Sequence, residues 1–464
     1  MCINDIMSQL NTKYSGITIN SKEVKNNFIY FAMKSTNYIN EAMESGATLV
    51  VLPKTLEFDS KNIDVIKVDD IDEAYNKFSC HFYDNPQEKL KIIATTGTNG
   101  KTTTSWIIND LLNQISSCGY IGTVGIKYSD ISAPSPYTTL FAHQYAEYFN
   151  KMVKQDVKNV AIELSSHGLD QKRLTFCNFD LAIMTNLTHD HLDYHGDMQH
   201  YLDAKLKIFS MLKNDGYAIL NIDDKFFNNF KDAANSNILT YGLSNNADIQ
   251  AFDIELNEDS TNFNLKIKDD IIKIKSPLVS LFNVYNLLAA IAVLVTYKID
   301  IKDIPLLVSN ISEVEGRMVK LKTSKGTAAY VDYSHTPDSF KQVFEYINSL
   351  NKEKIITVFG ATGDRDKSKR QILGKIASNN SDYIILTEDD PYTEDNESIK
   401  KEVAAGIEDT DFEFIQDRIE AINKAKEIAT DKDIIVCLSK GQEKYIIRNG
   451  SRDPYPGDDI ILKK

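Results

Sequence analysis

One stretch constrains this chain more than any other: IIATTGTNGKTTTSW at residues 92–106. Leu90–Thr96 is apolar and β-branched, which predicts a buried strand. Thr103–Gln114 predicts a helix, and a glycine-bearing loop joins the two. Gly97 and Gly100 let the backbone curl so that N–H groups face an anion. Lys101 adds a positive charge for β- and γ-phosphates, and Thr102 offers a hydroxyl to Mg²⁺. The helix aims its positive N-terminus at the same point. Thr95 stands where the strict eight-residue pattern has glycine, so the reading rests on the succession of strand, loop and helix. The bland alternative is a tight turn with a surface lysine. The expectation is that Gly97, Thr98, Asn99, Gly100, Lys101, Thr102 and Thr103 hold the phosphates of ATP.

A chain of 464 residues exceeds what one core holds, so several domains are expected. Residues 1–88 carry strand-like runs at Phe28–Met33 and Thr48–Leu52 around a short helix at Tyr38–Ser45. Asp84-Asn85-Pro86-Gln87 is a turn signal and a linker. In a second unit, 89–314, Val157–Leu164 and Phe179–Asn186 read as further buried strands and Asn286–Val295 as a buried helix. In a third, 315–464, strands are expected at Ala328–Val331, Ile355–Phe359, Tyr383–Leu386 and Ile434–Leu438, with a helix at Ile419–Ala429. The fold class is therefore α/β. It has a small N-terminal α/β domain, a central parallel-sheet domain and a C-terminal Rossmann-like domain.

Composition narrows the classes. Apolar residues make up 42% and charged residues 25%, a globular mix. A net charge of −14 argues against a nucleic-acid scaffold. No run of about 18 uncharged apolar residues is present, so no membrane span is expected. The first residues lack a basic start before an apolar core, unlike a signal peptide. Cysteines at 2, 80, 118, 177 and 437 make no CxxC pair, which suits a reduced, cytoplasmic protein.

Two strand ends are unusually polar. In AIELSSHGLDQKR, Glu163 ends a buried strand, where an unpaired carboxylate is costly. It reads either as a Mg²⁺ ligand or as the partner of Arg173 or Lys172. MTNLTHDHLDYHGD packs three histidines and three aspartates into one run, without a cysteine to suggest zinc. Asp190 and His191 are its candidates for the site. On HYLDAKLKIF, Lys205 shares a helix face with Tyr201 and reads from chemistry alone as a snorkelling lysine.

Taken together these stretches resemble the Mur ligases. Besides TTGTNGKTTT, ELSSHGLDQKR and TNLTHDHLDYHGDMQHY, the resemblance rests on FNVYNLLAA (282–290), EGRM (315–318), VDYSHTPDS (331–339), FGATGDRDKSKR (359–370) and SKGQEKY (439–445). It is closest to the branch that adds the third residue, L-lysine or meso-diaminopimelate, to UDP-N-acetylmuramoyl-L-alanyl-D-glutamate. The resemblance implies an ATP- and Mg²⁺-dependent amide ligase of peptidoglycan synthesis, working through an acyl phosphate. It assigns Mg²⁺ to Glu163 and His191 beside the Thr102 of the phosphate loop, makes Lys205 a carbamoylated lysine and so a carboxylate of the same metal site, and gives adenine to Asn283 and Asn286. Arg317 is placed near the γ-phosphate and Asp332 at the ribose. Thr138, Thr139, Ser165, Gln171 and Arg173 match positions that hold the UDP-muramoyl dipeptide, with Ser21 at the uridine end. The partners implied are that dipeptide and a free amino acid, bound by a monomer. A folylpolyglutamate- or cyanophycin-type ligase and a nucleotide-binding regulator are the alternatives.

Departures from the family pattern concentrate at the two substrate ends. Asn20 and Lys22 replace the aspartate and arginine that flank Ser21's counterpart, and Leu140 replaces a proline. Ser439 and Gln442 depart from the motif that contains Lys440 and Glu443. Where the diaminopimelate pattern is D-N-P-R, this chain has Asp389-Asp390-Pro391-Tyr392. Tyr392 supplies no guanidinium fork for a distal carboxylate. Asp390 adds a like charge, so the expected amino acid is L-lysine.

Overall fold

The strand predicted at Leu90–Thr96 forms as Lys91–Thr96 and takes a central place. In the computed structural model, which describes Met7 and residues 10–464, it lies between Phe179–Met184 and Asn159–Glu163, parallel to both. The register pairs Thr95 with Glu163 and Thr96 with Met184, so three strands end at one level. Their continuations, from Gly97, Leu164 and Thr185, enter the same space, as expected at the carboxyl edge of a parallel sheet.

Leu212–Asn221 and Asn237–Gly242 extend the parallel array on one side and Cys118–Gly122 on the other. Further strands at both edges bring the sheet to 11. Among these, Ile249–Leu256, Thr261–Ile267 and Asp270–Ser276 alternate buried and exposed residues, with no continuous apolar run to mark them in the sequence.

Both faces of this sheet are covered. Ile93 packs beneath the helices Lys101–Asn113 and Leu281–Thr296. Its neighbours Ile92 and Ala94 point the other way, toward Tyr145 and Phe149 of Ala142–Lys154 and Ile208 of Met198–Ser210. This is the two-residue alternation of a strand buried on both sides. The helix expected at Asn286–Val295 begins five residues earlier and ends at Thr296. It has several β-branched residues, and burial from Asn286 through Leu294 holds it.

The N-terminal strands Gly16–Thr18, Phe28–Phe31, Ala47–Pro53 and Asp64–Val68 form a separate parallel sheet. The short helix there is Ile39–Glu44. The C-terminal sheet runs Val319–Lys322, Ala328–Val331, Ile434–Cys437, Ile355–Phe359, Tyr383–Leu386, Phe412–Phe414, with only the first pair antiparallel. No helix among the described residues is long and apolar enough to cross a membrane. The four described cysteines are buried and free; Cys2 lies outside the described residues.

One buried charge holds the loops of the C-terminal sheet. Arg418, at the start of the helix Arg418–Ile428, is fully enclosed with Asp458, and the pair lies at 2.6 Å. The same guanidinium donates to the carbonyls of Glu388 (3.3 Å) and Leu438 (2.8 Å). These carbonyls precede Asp389 and Ser439, so one side chain fixes two strand-end loops. Removing one partner of such a pair strands the other charge, at a cost of about 3–5 kcal/mol. Asp458→Ala should therefore lower the calorimetric melting temperature by several degrees. A variant that melts with the wild type would show that this pair does not hold the loops.

Candidate active site

The carboxyl edges of the central and C-terminal sheets face each other across a cleft of about 660 Å³. From the central domain its wall includes Thr98, Asn99, Gly100, Lys101, Thr102 and Thr103. Thr138, Thr139, Ser165, Arg173, His191, Lys205 and Asn286 also line it. The C-terminal side contributes Arg317, Asp332, Asp389, Asp390 and Tyr392. Most residues singled out from sequence are thus brought together.

The loop is shaped for close approach. Gly97 sits at φ +147°, and a Cβ there would meet Thr185 Oγ1 at 1.8 Å. Lys101 folds back over the loop, donating to the carbonyls of Gly97 (3.1 Å) and Thr98 (2.8 Å). Burial lowers its pKa, against the pull of Glu163 and Asp190.

Glu163 has no exposure and does not reach the cleft wall. It is not paired with Arg173 or Lys172. Its Oε2 accepts from the hydroxyls of Thr102 (2.8 Å) and Thr123 (3.1 Å). Its Oε1 accepts from the Thr123 N–H (2.8 Å) and the Tyr120 hydroxyl. Burial and Glu163 itself push the Tyr120 pKa well up, so the phenol is the donor. Arg173 instead donates to the Thr139 carbonyl at 2.5 Å and lies over the Phe141 ring.

Lys205 is not a snorkelling lysine. It is 1% exposed, donates to the Gly97 carbonyl at 2.7 Å, and lies 4.8 Å from the Tyr201 ring centre. Burial, with Lys101 as a neighbouring cation, drives its pKa well below the usual value. His191 takes a left-handed conformation, φ 55°. Burial pulls its imidazole down to about 3, although Asp190 stands 3.4 Å away. A neutral imidazole is a competent metal ligand. Burial alone would raise Asp190, but His191, Lys369, His335 and Lys101 hold it below the usual carboxylate range.

Arg317 bridges the two halves. It donates to Thr102 Oγ1 at 3.2 Å while its guanidinium lies over Tyr333. Across the cleft Lys369 approaches Asp190 at 3.6 Å and His189 meets Asp366 at 3.1 Å. Asp332 accepts from the Met318 N–H (2.7 Å) and the Ser334 N–H (2.8 Å). Tyr120 and Thr123 escaped the sequence reading, and Lys369 and Tyr333 had no role in it although they lie in quoted stretches; strand register and domain packing bring all four to the site.

Several expected residues stand back from the wall. Asn283 donates to the Val279 carbonyl and accepts from Asn286, so its side chain is spent within its own helix region. Gln171 is exposed and braces Arg173. Ser21 donates to Glu41 at 2.6 Å in the N-terminal domain, outside this cleft. Lys440 is buried beneath the wall, between Asp390 (2.6 Å) and Glu443 (2.7 Å). Asp390 also accepts from the Ile447 N–H, and burial beside Asp389 pushes it up to about 6. Lys440 also stands 3.9 Å from Asp389, so the Asp390 carboxylate assigned to a lysine substrate already has a cation of the protein as its partner. Tyr392, at φ 50°, instead lies under the Arg365 guanidinium, which lines the cleft and forms no ion pair among the described residues.

No cluster of three or more His, Cys, Asp or Glu among the described residues is placed to hold a metal ion. Mg²⁺ keeps waters and substrate phosphates and needs few protein oxygens. The Thr102 hydroxyl beside Glu163 fits such a site.

Comparison with known proteins agrees with this geometry. The chain matches the Mur ligase middle domain over residues 95–294 and the Mur ligase glutamate ligase domain over 316–441. It is 34% identical, over 99% of its length and 96% of the relative's, to a UDP-N-acetylmuramoyl-L-alanyl-D-glutamate--2,6-diaminopimelate ligase of Caldanaerobacter subterraneus subsp. tengcongensis. It is 37% identical to a protein of the same name from Fusobacterium nucleatum subsp. nucleatum, covering 94% and 91%. A solved structure of a protein of that name superposes with a TM-score of 0.67 at 32% identity, covering 97% and 94%. None of these three names carries the L-lysine expectation. With the phosphate loop, the buried glutamate and lysine, and the bridging arginine in one cleft, the chain belongs to the Mur ligase family of ATP-dependent acid–amino-acid ligases.

Proposed function

We propose that this enzyme adds 2,6-diaminopimelate to UDP-N-acetylmuramoyl-L-alanyl-D-glutamate in the cytoplasm, as a monomer, with ATP and Mg²⁺. Residues 1–88 serve the uridine end, 89–314 the nucleotide and 315–464 the amino acid. The observation that carries the amino acid choice is Arg365. Among the described residues it has no ion-pair partner and lies over Tyr392 on the cleft wall, while Asp390 is paired with Lys440. Arg448 is not available for that role, because Glu388 and Asp453 hold it. A guanidinium recognises a carboxylate, and L-lysine lacks the second one.

The residues support a two-step ligation. The dipeptide carboxylate attacks the γ-phosphorus, forming a C–O–P bond and releasing ADP. Lys101 exchanges its loop carbonyls for phosphate oxygens, and Arg317 neutralises charge on the transferring group. Thr102, Glu163 and His191 would hold Mg²⁺, which would supply further neutralisation of that charge. Arg173 and the Thr138–Thr139 pair hold the dipeptide. The amine of the third amino acid then attacks the acyl carbon, loses a proton, and expels phosphate. Closure of the two domains over the cleft would keep water from the acyl phosphate.

Lys205 is read as a carbamate. A buried amine with a strongly lowered pKa is neutral and nucleophilic enough to add CO₂. Its nitrogen forms a C–N bond to CO₂ and gives up one proton to solvent, which leaves an anion beside Lys101 where the free amine carried no charge. Lys205→Ala should lose at least about 10²-fold in kcat, the scale of one major electrostatic group, and millimolar short-chain carboxylates should restore part of it. A variant with wild-type kcat would reject the carbamate.

Phosphate release from ATP should require both the UDP-muramoyl dipeptide and the amino acid. Among meso-diaminopimelate, lysine and ornithine, meso-diaminopimelate should give the highest kcat/KM. Arg365→Ala should cut that value about tenfold or more, the scale of a charged hydrogen bond, and leave lysine nearly unchanged. A wild-type preference for lysine would overturn the amino acid assignment. Release with a folate or another acceptor instead would overturn the function.

A further inference from the structure

Glu163 is fully enclosed directly behind the cleft wall, and its two oxygens are held differently. Oε2 accepts only from hydroxyls on the cleft side, Thr102 and Thr123. Oε1 is anchored from behind, by the Thr123 N–H and by Tyr120. Tyr120 lies on the neighbouring strand, paired with Ala161, and has no exposure. It does not line the cleft and reaches the site through Glu163.

Three features fix that phenol. Gly122 leaves it space: a Cβ there would stand 2.1 Å from Glu163 Oε1 and 2.4 Å from the Tyr120 hydroxyl. Trp106 meets the Tyr120 ring edge-on, with centroids 5.5 Å apart, and Val314 closes the same cluster. Trp106 is itself held, by a 3.3 Å bond from Nε1 to Ser312 Oγ and by the Lys127 ammonium 4.0 Å from its ring centre. Ser312 and Val314 belong to the linker that leads to Arg317.

We propose that Tyr120 is a positioning residue for the metal site: its hydroxyl, clamped by Trp106 and Val314, fixes the Glu163 carboxylate so that Oε2 is presented to Mg²⁺. Without that donor, Oε1 keeps one hydrogen bond and the carboxylate three of its four, so its last torsion is held less tightly. Partners that orient a metal ligand commonly change metal affinity by 10–100-fold. This rests on the reading of Glu163 as a metal ligand.

The test is calorimetric titration of the full-length enzyme with a non-hydrolysable ATP analogue at a series of Mg²⁺ concentrations. In the wild type, affinity should rise with Mg²⁺ through a defined midpoint. Tyr120→Phe keeps the ring and its packing, so analogue binding without Mg²⁺ should stay within about twofold. Its Mg²⁺ midpoint should rise about tenfold or more. Trp106→Leu keeps the hydroxyl but removes the ring edge, and should shift the midpoint in the same direction by less. A folded Tyr120→Phe with the wild-type midpoint would overturn the inference, as would failure of both variants to move it. Wild-type binding that ignores Mg²⁺ would instead reject the metal reading of Glu163.

Discussion

A carboxylate with no exposure, accepting four hydrogen bonds, is the joint on which this site turns. Glu163 ends a strand in register with Thr95, so it stands directly beside the loop that begins at Gly97. Thr102, the second residue of the following helix, donates to it, and Arg317 donates in turn to Thr102. The loop, the neighbouring strand and the entry to the C-terminal domain are thereby tied to one side chain. Such a group is tolerable only because every neighbour is a donor, and it becomes useful when one oxygen is also offered to a cation.

Around that joint the backbone carries strain. His191, Met318, Tyr392 and Ser439 are non-glycine residues in left-handed conformations, with φ between 48° and 80°. Three of them line the cleft, and Met318 follows Arg317. Strained residues of this kind persist when packing over-determines them. Here the packing is visible: Arg418 and Asp458 hold the loops bearing Asp389 and Ser439, and Lys440 neutralises Asp390. The C-terminal face of the cleft is therefore preorganised by buried ion pairs.

Much of this was legible in the sequence. Continuous apolar runs marked the parallel strands, because burial on both faces leaves no alternation to confuse them. The glycine loop marked its own chemistry. Lys205 was misread from chemistry alone, since a lysine one turn after Tyr201 looks like a snorkelling group; only the fold shows that Gly97's carbonyl covers it. Tyr120 and Lys369 were invisible because each meets its partner across more than forty residues of chain. The edge strands after Ile249 were missed because half of each faces water. The acidic run around Asp390 suggested a cationic substrate, but a buried lysine fifty residues away already satisfies it.

If the cleft joins its two substrates through a phosphorylated carboxylate, the oxygens of that carboxylate must part company. Turnover of UDP-muramoyl dipeptide labelled with ¹⁸O in its acceptor carboxylate, with ATP and the amino acid, should release phosphate that carries one ¹⁸O from the dipeptide and leave the other in the new amide. Unlabelled phosphate would mean that water, not the carboxylate, takes the γ-phosphoryl group, and would overturn the proposed ligation.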